Sequence, residues 1–443
     1  MAEVSIVELG AMDIRERIDS GTSSCVEMAE GLLKYAKEAD KSIHAFAYLE
    51  DAAVMQQAQI LDDHRMRGAQ AGSLFGIPIA IKDAIDTFDM PAEYGSKLHA
   101  GRQPRWDSAV ARRLREQGAI LFGKTKMPEF CLGKPADTVN PRQVEHTPGG
   151  SSSGSAAAVA AGLVPVAVGT QTVGSVIRPA SFCGVIGFKP TRGLISRSGL
   201  QPLSKTMDQV GVFGRSVEDV ALVAEVLIGA DEQDELTQGI LPRPLLKVCQ
   251  EEPPFEPKFV FMRTPFWQQM DTDAQEAFEA LVEELGDLVV TIDLPESSEQ
   301  VWKIHNTIVE AEFAQVMRDS YLHSKDALSA DIQSIIERGL KISATDYLDA
   351  LNRIEPVRDG FDEFFERFDA IITPASLGAA PKGLDSTGNP IMSALWSFTG
   401  MPCISLPLLQ SANEMPLGVQ LVGRHHDDAR LLRTSRWLMK RFN

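Results

Sequence analysis

An early stretch of the chain alternates apolar and polar or small positions. In LFGIPIAIKDAID, Ile77, Ile79 and Ile81 alternate with Pro78, Ala80 and Lys82. This two-residue period predicts a β-strand. It also predicts that Lys82 ends the strand on the face opposite the isoleucines, above small residues.

Other segments around this strand follow the helical period. Residues 11 to 70 place Leu, Ala and charged residues at helical spacing, which predicts helices. A second helix is predicted over Trp106–Gln117, where Asp107 or Ser108 would cap the start and Gly118 closes the end. The AILFG segment that follows predicts a short buried strand.

The segment from Pro148 to Gly193 combines two Gly/Ser-rich loops with regular elements. The first loop runs into a predicted helix at Ala156–Ala161 and then into the strand LVPVAVG. The second loop, Thr170–Ser175, leads to the strand VIGFKP. Each loop therefore lies beside a strand, where backbone amides are held in place.

The second half begins with a long helical stretch. Residues 215 to 365 are acidic and mostly helical by pattern, with amphipathic runs at Asp273–Leu285 and Val301–Met317. FDAIITP, CISLPLL and LGVQLVG then predict strands, and Asp428–Phe442 predicts a last helix. Strands that alternate with helices predict an α/β fold. Without a repeat or a long linker, residues 1–443 are expected to form a single domain.

The net charge of the chain limits the kinds of partner that it is expected to bind. The chain has 443 residues, and its 43 Lys and Arg against 61 Asp and Glu give a formal net charge of −18. This argues against binding a nucleic-acid backbone or an anionic membrane. The N-terminus carries acids where a signal peptide carries Lys or Arg, and the longest apolar run, Ala156–Val168, contains Gly and Pro. A cytoplasmic location is expected.

The cysteines and histidines indicate neither a disulfide framework nor a metal site. The five cysteines lack any CxxC pair, and the eight histidines show no HExxH motif. We therefore expect free thiols and no metal. The cysteines stand at positions Cys25, Cys131, Cys183, Cys249 and Cys403.

Two short motifs match known signatures by letter alone. Residues 118–125 fit the GxxxxGK[ST] phosphate loop, but a helix precedes Gly118 and the middle residues predict a buried strand. Residues 150–154 fit GxSxG, but no strand leads into Ser152, and only His425 and His426 follow late in the chain as bases. We expect neither a nucleotide site nor a nucleophile elbow.

The two Gly/Ser loops do suggest acyl-transfer chemistry. Consecutive N–H groups of Thr172, Val173 and Gly174 could converge on one oxygen, as an oxyanion hole requires. A serine at the end of such a loop needs a base to take its proton. No histidine is near in sequence, but a lysine can serve where burial lowers its pKa. Lys82 is the candidate, and a solvated strand-end lysine is the alternative.

These loops and Lys82 resemble the amidase signature family, in the order and spacing of their motifs. The resemblance covers most of the chain and is weakest at residues 235–350. The matching segments are Gly76–Asp83, Gly149–Ser155, Gly169–Ala180, Phe182–Gly184, Gly187–Thr191, Trp396–Pro407 and Pro416–Gly423.

The resemblance implies an amide hydrolase that forms an acyl-serine without a cofactor. Ser175 would be the nucleophile, Ser151 a bridging serine after a cis peptide, and Lys82 the terminal base. Thr172, Val173 and Gly174 would supply the oxyanion hole, with Ser152 and Ser155 in support. The implied fold is a central twisted mixed β-sheet covered by α-helices on both faces. Its signature core would span about 70–215, and a variable helical substrate region about 235–350.

Two departures from the family pattern affect the expected substrate. Gln171 stands where most members have Asp, and Val173 where they usually have Gly. The TQTxGSVIRPA form is similar to the malonamidase branch, which also contains enzymes that act on anilides and carbamates. Gln171 and Arg178 would then bind substrate, Arg178 by a bidentate contact to a carboxylate. A structural ion pair is the alternative for Arg178.

Two other functions stay open. One is a glutaminase-type component of a tRNA-dependent amidotransferase, which usually keeps the DTGGS form and works with partners; the net charge and Gln171 argue against it. The other is a catalytically silent binding scaffold, which the intact Ser, Ser and Lys set disfavours. A small-molecule amide is the expected partner, and a homodimer is what the resemblance suggests.

Overall fold

A computed structural model describes residues 5–68, 70 and 72–442. Residues 1–4, 69, 71 and 443, which fall within the predicted single domain, lie outside this described part. The strands are β1 Phe46–Tyr48, β2 Pro78–Lys82, β3 Ile120–Thr125, β4 Val166–Gln171, β5 Ile186–Lys189, β6 Gln209–Gly214, β7 Phe259–Arg263, β8 Val289–Asp293, β9 Ala370–Pro374, β10 Cys403–Gln410 and β11 Pro416–Val422.

The helices surround these strands in sequence. They are α1 Ala11–Asp19, α2 Cys25–Ile43, α3 Asp51–Met66, α4 Ala109–Glu116, α5 Ser153–Ala160, α6 Ile177–Cys183, α7 Val217–Leu227, α8 Leu245–Gln250, α9 Thr272–Leu285, α10 Gln300–His323, α11 Ala330–Gly339, α12 Ala344–Leu351, α13 Ile354–Asp362, α14 Ile391–Thr399 and α15 Asp428–Phe442.

All the strands join one 11-stranded sheet in the order β1-β3-β2-β4-β6-β5-β10-β11-β9-β7-β8. Pairs such as β2–β3 and β2–β4 are parallel, whereas β4–β6 and β10–β11 are antiparallel. Helices pack on both faces of the sheet and bury its apolar side chains in two large clusters. The predicted α/β class and the mixed sheet are confirmed.

The parallel pairing of β2 with β4 brings Lys82 towards the Gly/Ser segment. Ile81 lies opposite Val168 in this parallel pair. The next residues on the two strands, Lys82 and Gly169, therefore lie side by side near the carboxyl ends of β2 and β4. Lys82 is the last residue of β2 and is fully buried. The prediction of a strand that ends at Lys82 is confirmed, and the alternative of a solvated lysine is wrong.

The glycine at position 169 leaves room for a close contact. A Cβ there would stand 2.6 Å from Ser152 Oγ, closer than real contacts allow. Because glycine lacks this atom, the serine loop packs directly against β4.

Several predicted boundaries differ from those observed. The helix predicted at Ala156 begins at Ser153, inside the Gly/Ser run. β4 starts and ends later than LVPVAVG and includes Thr170 and Gln171, which were expected in a loop. Residues 118–125 contain the fully buried strand β3, as expected for a segment that is not a phosphate loop.

The stretch predicted as mostly helical also contains two strands. β7 and β8 lie within residues 215–365 and extend the sheet beyond β9. β7 is a nearly continuous apolar run, FVFMR, which carries no two-residue period because both of its faces are buried. Periodicity alone therefore cannot separate it from a buried helix segment.

The helices carry no membrane-crossing signal. None of those in the described ranges combines the length and apolar character that a bilayer span requires.

Candidate active site

Lys82 lies at the centre of a small buried cluster of hydroxyls. Its Nζ is 2.8 Å from Ser151 Oγ and 2.8 Å from Thr170 Oγ1. Thr170 was not singled out from the sequence, because the predicted strand ends at Gly169, two residues before the end of β4, and leaves Thr170 in the loop. Its place on a strand parallel to β2 brings its side chain to the lysine.

The surroundings of Lys82 favour an uncharged amine. Burial lowers the pKa of Lys82, and the nearby Cys131 thiol and Asp208 carboxyl oppose that shift only in part. A low-dielectric site destabilises the ammonium form. A neutral amine next to a serine hydroxyl can accept its proton.

Four serines precede or begin α5, but only one of them has its hydroxyl at the lysine. Ser152 Oγ donates to Thr170 O, Ser153 Oγ to Gly149 O, and Ser155 Oγ to Val168 O. The Ser152 and Ser155 hydroxyls therefore bind the loop to β4, and the Ser153 hydroxyl forms a bond within the loop. Ser151 is left as the serine that contacts Lys82. The Ser152 bond also explains why the GxSxG letters do not describe a free nucleophile.

The loop that carries Ser151 is joined to the segment that carries Ser175. The Gly150–Ser151 peptide is cis, as the resemblance implies. Arg178, three residues after Ser175, donates from Nη2 to Gly150 O at 2.7 Å. Gly149 packs so closely on this segment that a Cβ would stand 2.9 Å from Pro179 Cα. The two serine-bearing segments are therefore packed against each other.

Ser175 lies between the end of β4 and the start of α6. Its side chain is half-buried, and its hydroxyl has no hydrogen-bond partner among the described residues. The structure thus brings Lys82 and Ser151 into contact, whereas no hydrogen bond joins Ser151 to Ser175. Catalytic hydrogen bonds often close only when substrate is present.

Hydrogen bonds fix both the backbone and a side chain of the predicted oxyanion loop. Thr172 Oγ1 donates to Asp208 at 2.7 Å, and burial raises the pKa of that carboxyl. Thr172 O lies 3.1 Å from His305 Nε2, and Val173 O accepts from Ser397 Oγ at 2.6 Å. Asp208, His305 and Ser397 were not expected from the sequence, because each is far from the loop along the chain.

Gln171, a predicted substrate-binding residue, has its amide engaged within the protein. Its Oε1 accepts from the backbone N–H groups of Val176 and Ile177 at 2.8 and 3.0 Å. Its Nε2 donates to Ser397 Oγ at 2.9 Å. The side chain is fully buried and connects both ends of the oxyanion loop.

Arg178, the other predicted substrate-binding residue, is buried without a carboxylate partner among the described residues. Its Nε donates to Thr387 O, and Nη2 to Gly150 O and Thr387 Oγ1. Its Nη1 has no partner, and burial lowers the pKa of the guanidinium to about 9. The structural ion pair considered from the sequence is not formed. The described residues also include no group of three His, Cys, Asp or Glu side chains placed to hold a metal ion.

Comparison with known proteins identifies the family. The Amidase family model matches residues 27–432. The chain belongs to the amidase signature family. Members of this family hydrolyse amide C–N bonds, so the protein is an amidase-type enzyme.

Curated relatives of this amidase share about a third of its sequence. One component of the glutamyl-tRNA(Gln) amidotransferase of Symbiobacterium thermophilum is 33% identical and aligns over 96% of this chain and 95% of its own. The same component from Alkaliphilus metalliredigens is 30% identical over 98% of this chain and 96% of its own. The names of these relatives correspond to the alternative function considered from the sequence, a component of a tRNA-dependent amidotransferase.

Solved structures of several proteins, two of them amidases, have the same fold. A protein from a vestigial complex linked to the origins of an s-triazine catabolic enzyme superposes with a TM-score of 0.90 at 27% identity, over 98% of both chains. An amidase gives 0.86 at 28% identity, over 98% of this chain and 100% of that one. The native peptide amidase of Stenotrophomonas maltophilia gives 0.84 at 25% identity, over 98% and 97%.

Proposed function

We propose that this amidase hydrolyses a small amide, anilide or carbamate through a Ser175–Ser151–Lys82 relay and an acyl-serine intermediate. The observation that carries the proposal is the contact between the buried Lys82 amine and Ser151 Oγ at 2.8 Å. A lysine held without charge beside a serine is suited to accept a proton. Ser151 would pass on the proton that Ser175 must lose.

The proposed reaction has two halves. Ser175 Oγ attacks the amide carbon while its proton moves through Ser151 to neutral Lys82. The C–N bond then breaks, and the relay returns the proton to the leaving ammonia or amine. Water next attacks the acyl carbon and gives a proton to the same relay. The bond between Ser175 Oγ and the acyl carbon then breaks, the relay returns the proton to Ser175 Oγ, and the carboxylic acid leaves.

The oxyanion formed in each half needs fixed donors. The backbone N–H groups of Thr172, Val173 and Gly174 are proposed to bind it. Removing one such donor typically costs about 10²–10³ in rate. The bonds that hold the Thr172 and Val173 carbonyls support a rigid loop at this position.

Arg178 is the proposed contact for a substrate carboxylate. Its Nη2 reaches the residue before Ser151, and its Nη1 is buried without a partner. A buried guanidinium with no carboxylate partner in the described protein would gain from an anionic group on the substrate. A substrate of the malonamate type, which carries a carboxylate near its amide, fits this arrangement.

Release of ammonia or amine by the purified chain tests the proposal. A panel of malonamate, aryl amides and aryl carbamates is ranked by kcat/KM for the wild type and for Ser175→Ala and Ser151→Ala. We expect turnover by the wild type alone, and losses of at least about 10³ in both variants. Wild-type turnover that persists in Ser175→Ala would contradict the assignment of the nucleophile.

A second candidate is a glutaminase-type component of a tRNA-dependent amidotransferase. The names of the curated relatives at 30 and 33% identity favour it. In that function, glutamine hydrolysis would depend on partner proteins. Turnover of small amides by the isolated chain, with no preference for glutamine, would decide against it.

A further inference from the structure

Two carbonyls of the oxyanion loop are held from outside the signature core. Thr172 O faces His305 Nε2 at 3.1 Å, and His305 belongs to α10 in the variable helical region. Val173 O faces Ser397 Oγ at 2.6 Å, and Ser397 belongs to α14. The two anchors act on successive peptide units of the loop.

Because the peptide bond is planar, a contact that fixes a carbonyl also fixes the direction of the N–H group in the same peptide unit. In a trans peptide, the C=O of one residue and the N–H of the next point to opposite sides of the C–N bond. The contact at Thr172 O therefore turns the Val173 N–H away from His305. The contact at Val173 O likewise turns the Gly174 N–H away from Ser397. Both N–H groups belong to the proposed oxyanion donors.

His305 has only one chemical way to make its contact. A carbonyl oxygen cannot donate, so Nε2 must carry the proton and Nδ1 is bare in the neutral ring. Nδ1 is buried without a partner among the described residues, and burial lowers the pKa of His305 to about 4, so the ring is neutral at pH 7. Trp302 lies parallel to the ring, with centroids 6.4 Å apart and an interplanar angle of 6°. The imidazole is thus a fixed donor.

Ser397 is directed by a second bond. Gln171 Nε2 donates to Ser397 Oγ at 2.9 Å, so the serine's own proton is free to go to Val173 O. Gln171 Oε1 accepts from Val176 and Ile177, which fixes the amide's orientation. The chain of donors runs in one direction, from Gln171 through Ser397 to the loop.

We propose that His305 and Ser397 are positioning residues that aim the Val173 and Gly174 amides at the developing oxyanion. This inference rests on the proposed hydrolase function. Neither side chain needs to touch the substrate. Their loss would tilt a donor, so transition-state binding weakens while ground-state binding stays nearly the same.

The test uses three variants and one matched control. His305→Phe keeps a ring beside Trp302 but removes the donor, and His305→Gln restores an N–H near the position of Nε2. Ser397→Ala removes the other donor. Thr399→Val is the control, because Thr399 also lies buried on α14, but within the described part of the chain its hydroxyl bonds only to Leu395 O and Trp396 O of its own helix.

The readouts are kcat, KM and the second-order rate of Ser175 phosphonylation by a fluorophosphonate, with melting temperature to verify folding. We expect His305→Phe and Ser397→Ala to lower kcat and the phosphonylation rate by about 10 to 100-fold, with KM within about threefold. His305→Gln should recover most of the loss, and Thr399→Val should match the wild type.

The outcomes separate this inference from the proposed function. An inactive, unlabelled wild type would overturn both. An active wild type with folded His305→Phe and Ser397→Ala at unchanged rates would overturn the positioning role alone. Equal losses in His305→Phe and His305→Gln would also overturn it, since lost ring packing would then explain the effect.

Discussion

Lys82 Nζ and Ser151 Oγ lie 2.8 Å apart although 69 residues separate them along the chain. The contact depends on the parallel pairing of β2 and β4 and on a serine loop that packs against β4 at Gly169. The amine is fully buried, so its charged form is disfavoured in the folded protein. The same burial that suits Lys82 to the proposed role of base costs stability.

The pH dependence of turnover should follow from the lowered pKa of Lys82. The relay needs the neutral amine, which is lost by protonation as the pH falls through the folded-state pKa. We therefore expect kcat/KM for a neutral amide to rise with pH and level off below 10.5, the ordinary lysine value. A pH–rate profile in a chelating buffer measures this. A kcat/KM that falls as the pH rises through neutrality would contradict a lysine base.

Burial of Lys82 should also lower the stability of the folded protein at neutral pH. The unfolded chain holds the lysine proton more tightly than the folded chain, so folding stability rises with pH between the two pKa values. Lys82→Met removes this penalty and should raise the melting temperature at neutral pH. The gain should shrink as the pH approaches 10.5. Thermal melts of both proteins over this range provide the measurement, and a pH-independent difference would refute the linkage.

Thr170 should matter for rate more than for folding. Its hydroxyl is one of the two hydroxyls that contact Lys82 Nζ, so Thr170→Val should lower kcat about tenfold by leaving the amine less well placed. Thr373→Val is the matched control, because Thr373 Oγ1 on β9 is buried and has no hydrogen-bond partner in the described ranges. We expect the control to keep its activity and its stability to within about 1 kcal/mol. Equal kcat values for Thr170→Val and the wild type would remove Thr170 from the site.

Arg178 should distinguish substrates by charge. Arg178→Gln should raise KM for malonamate by about tenfold or more, since a charge-assisted bond is lost. Any damage to the Gly150 contact should affect malonamate and a neutral aryl amide alike. The ratio of kcat/KM for the two substrates is therefore the relevant measurement. An unchanged ratio would assign Arg178 to the structure of the loop only.

Much of the fold follows from local patterns, and the exceptions have a physical cause. The Ile77–Ile79–Ile81 alternation predicted β2 and the end of the strand at Lys82, and the amphipathic run at Asp428–Phe442 predicted α15 with its observed bounds. β7 was missed because a strand buried on both faces shows no alternation. The GGSSSGS letters are poor helix formers, yet α5 begins among them because Ser153 and Ser155 find partners in the fold.

From the sequence we predicted only those residues of the candidate site that belong to short continuous motifs. Lys82, Ser151 and Ser175 are carried by short motifs that the sequence displays directly. Thr170, His305 and Ser397 act through contacts between distant segments, and no spacing along the chain indicates those contacts. Their roles depend on sheet register and on helix packing, which a single sequence does not specify.

Mapping the covalent adduct of a fluorophosphonate by peptide mass spectrometry shows which serine is the nucleophile and whether its reactivity depends on Lys82. The wild type, Lys82→Met and Ser152→Ala would be treated side by side. We expect the adduct on Ser175 in the wild type and in Ser152→Ala, and labelling slowed at least about 10²-fold in Lys82→Met. An adduct on Ser152, or equally fast labelling of Ser175 without the lysine, would contradict this expectation.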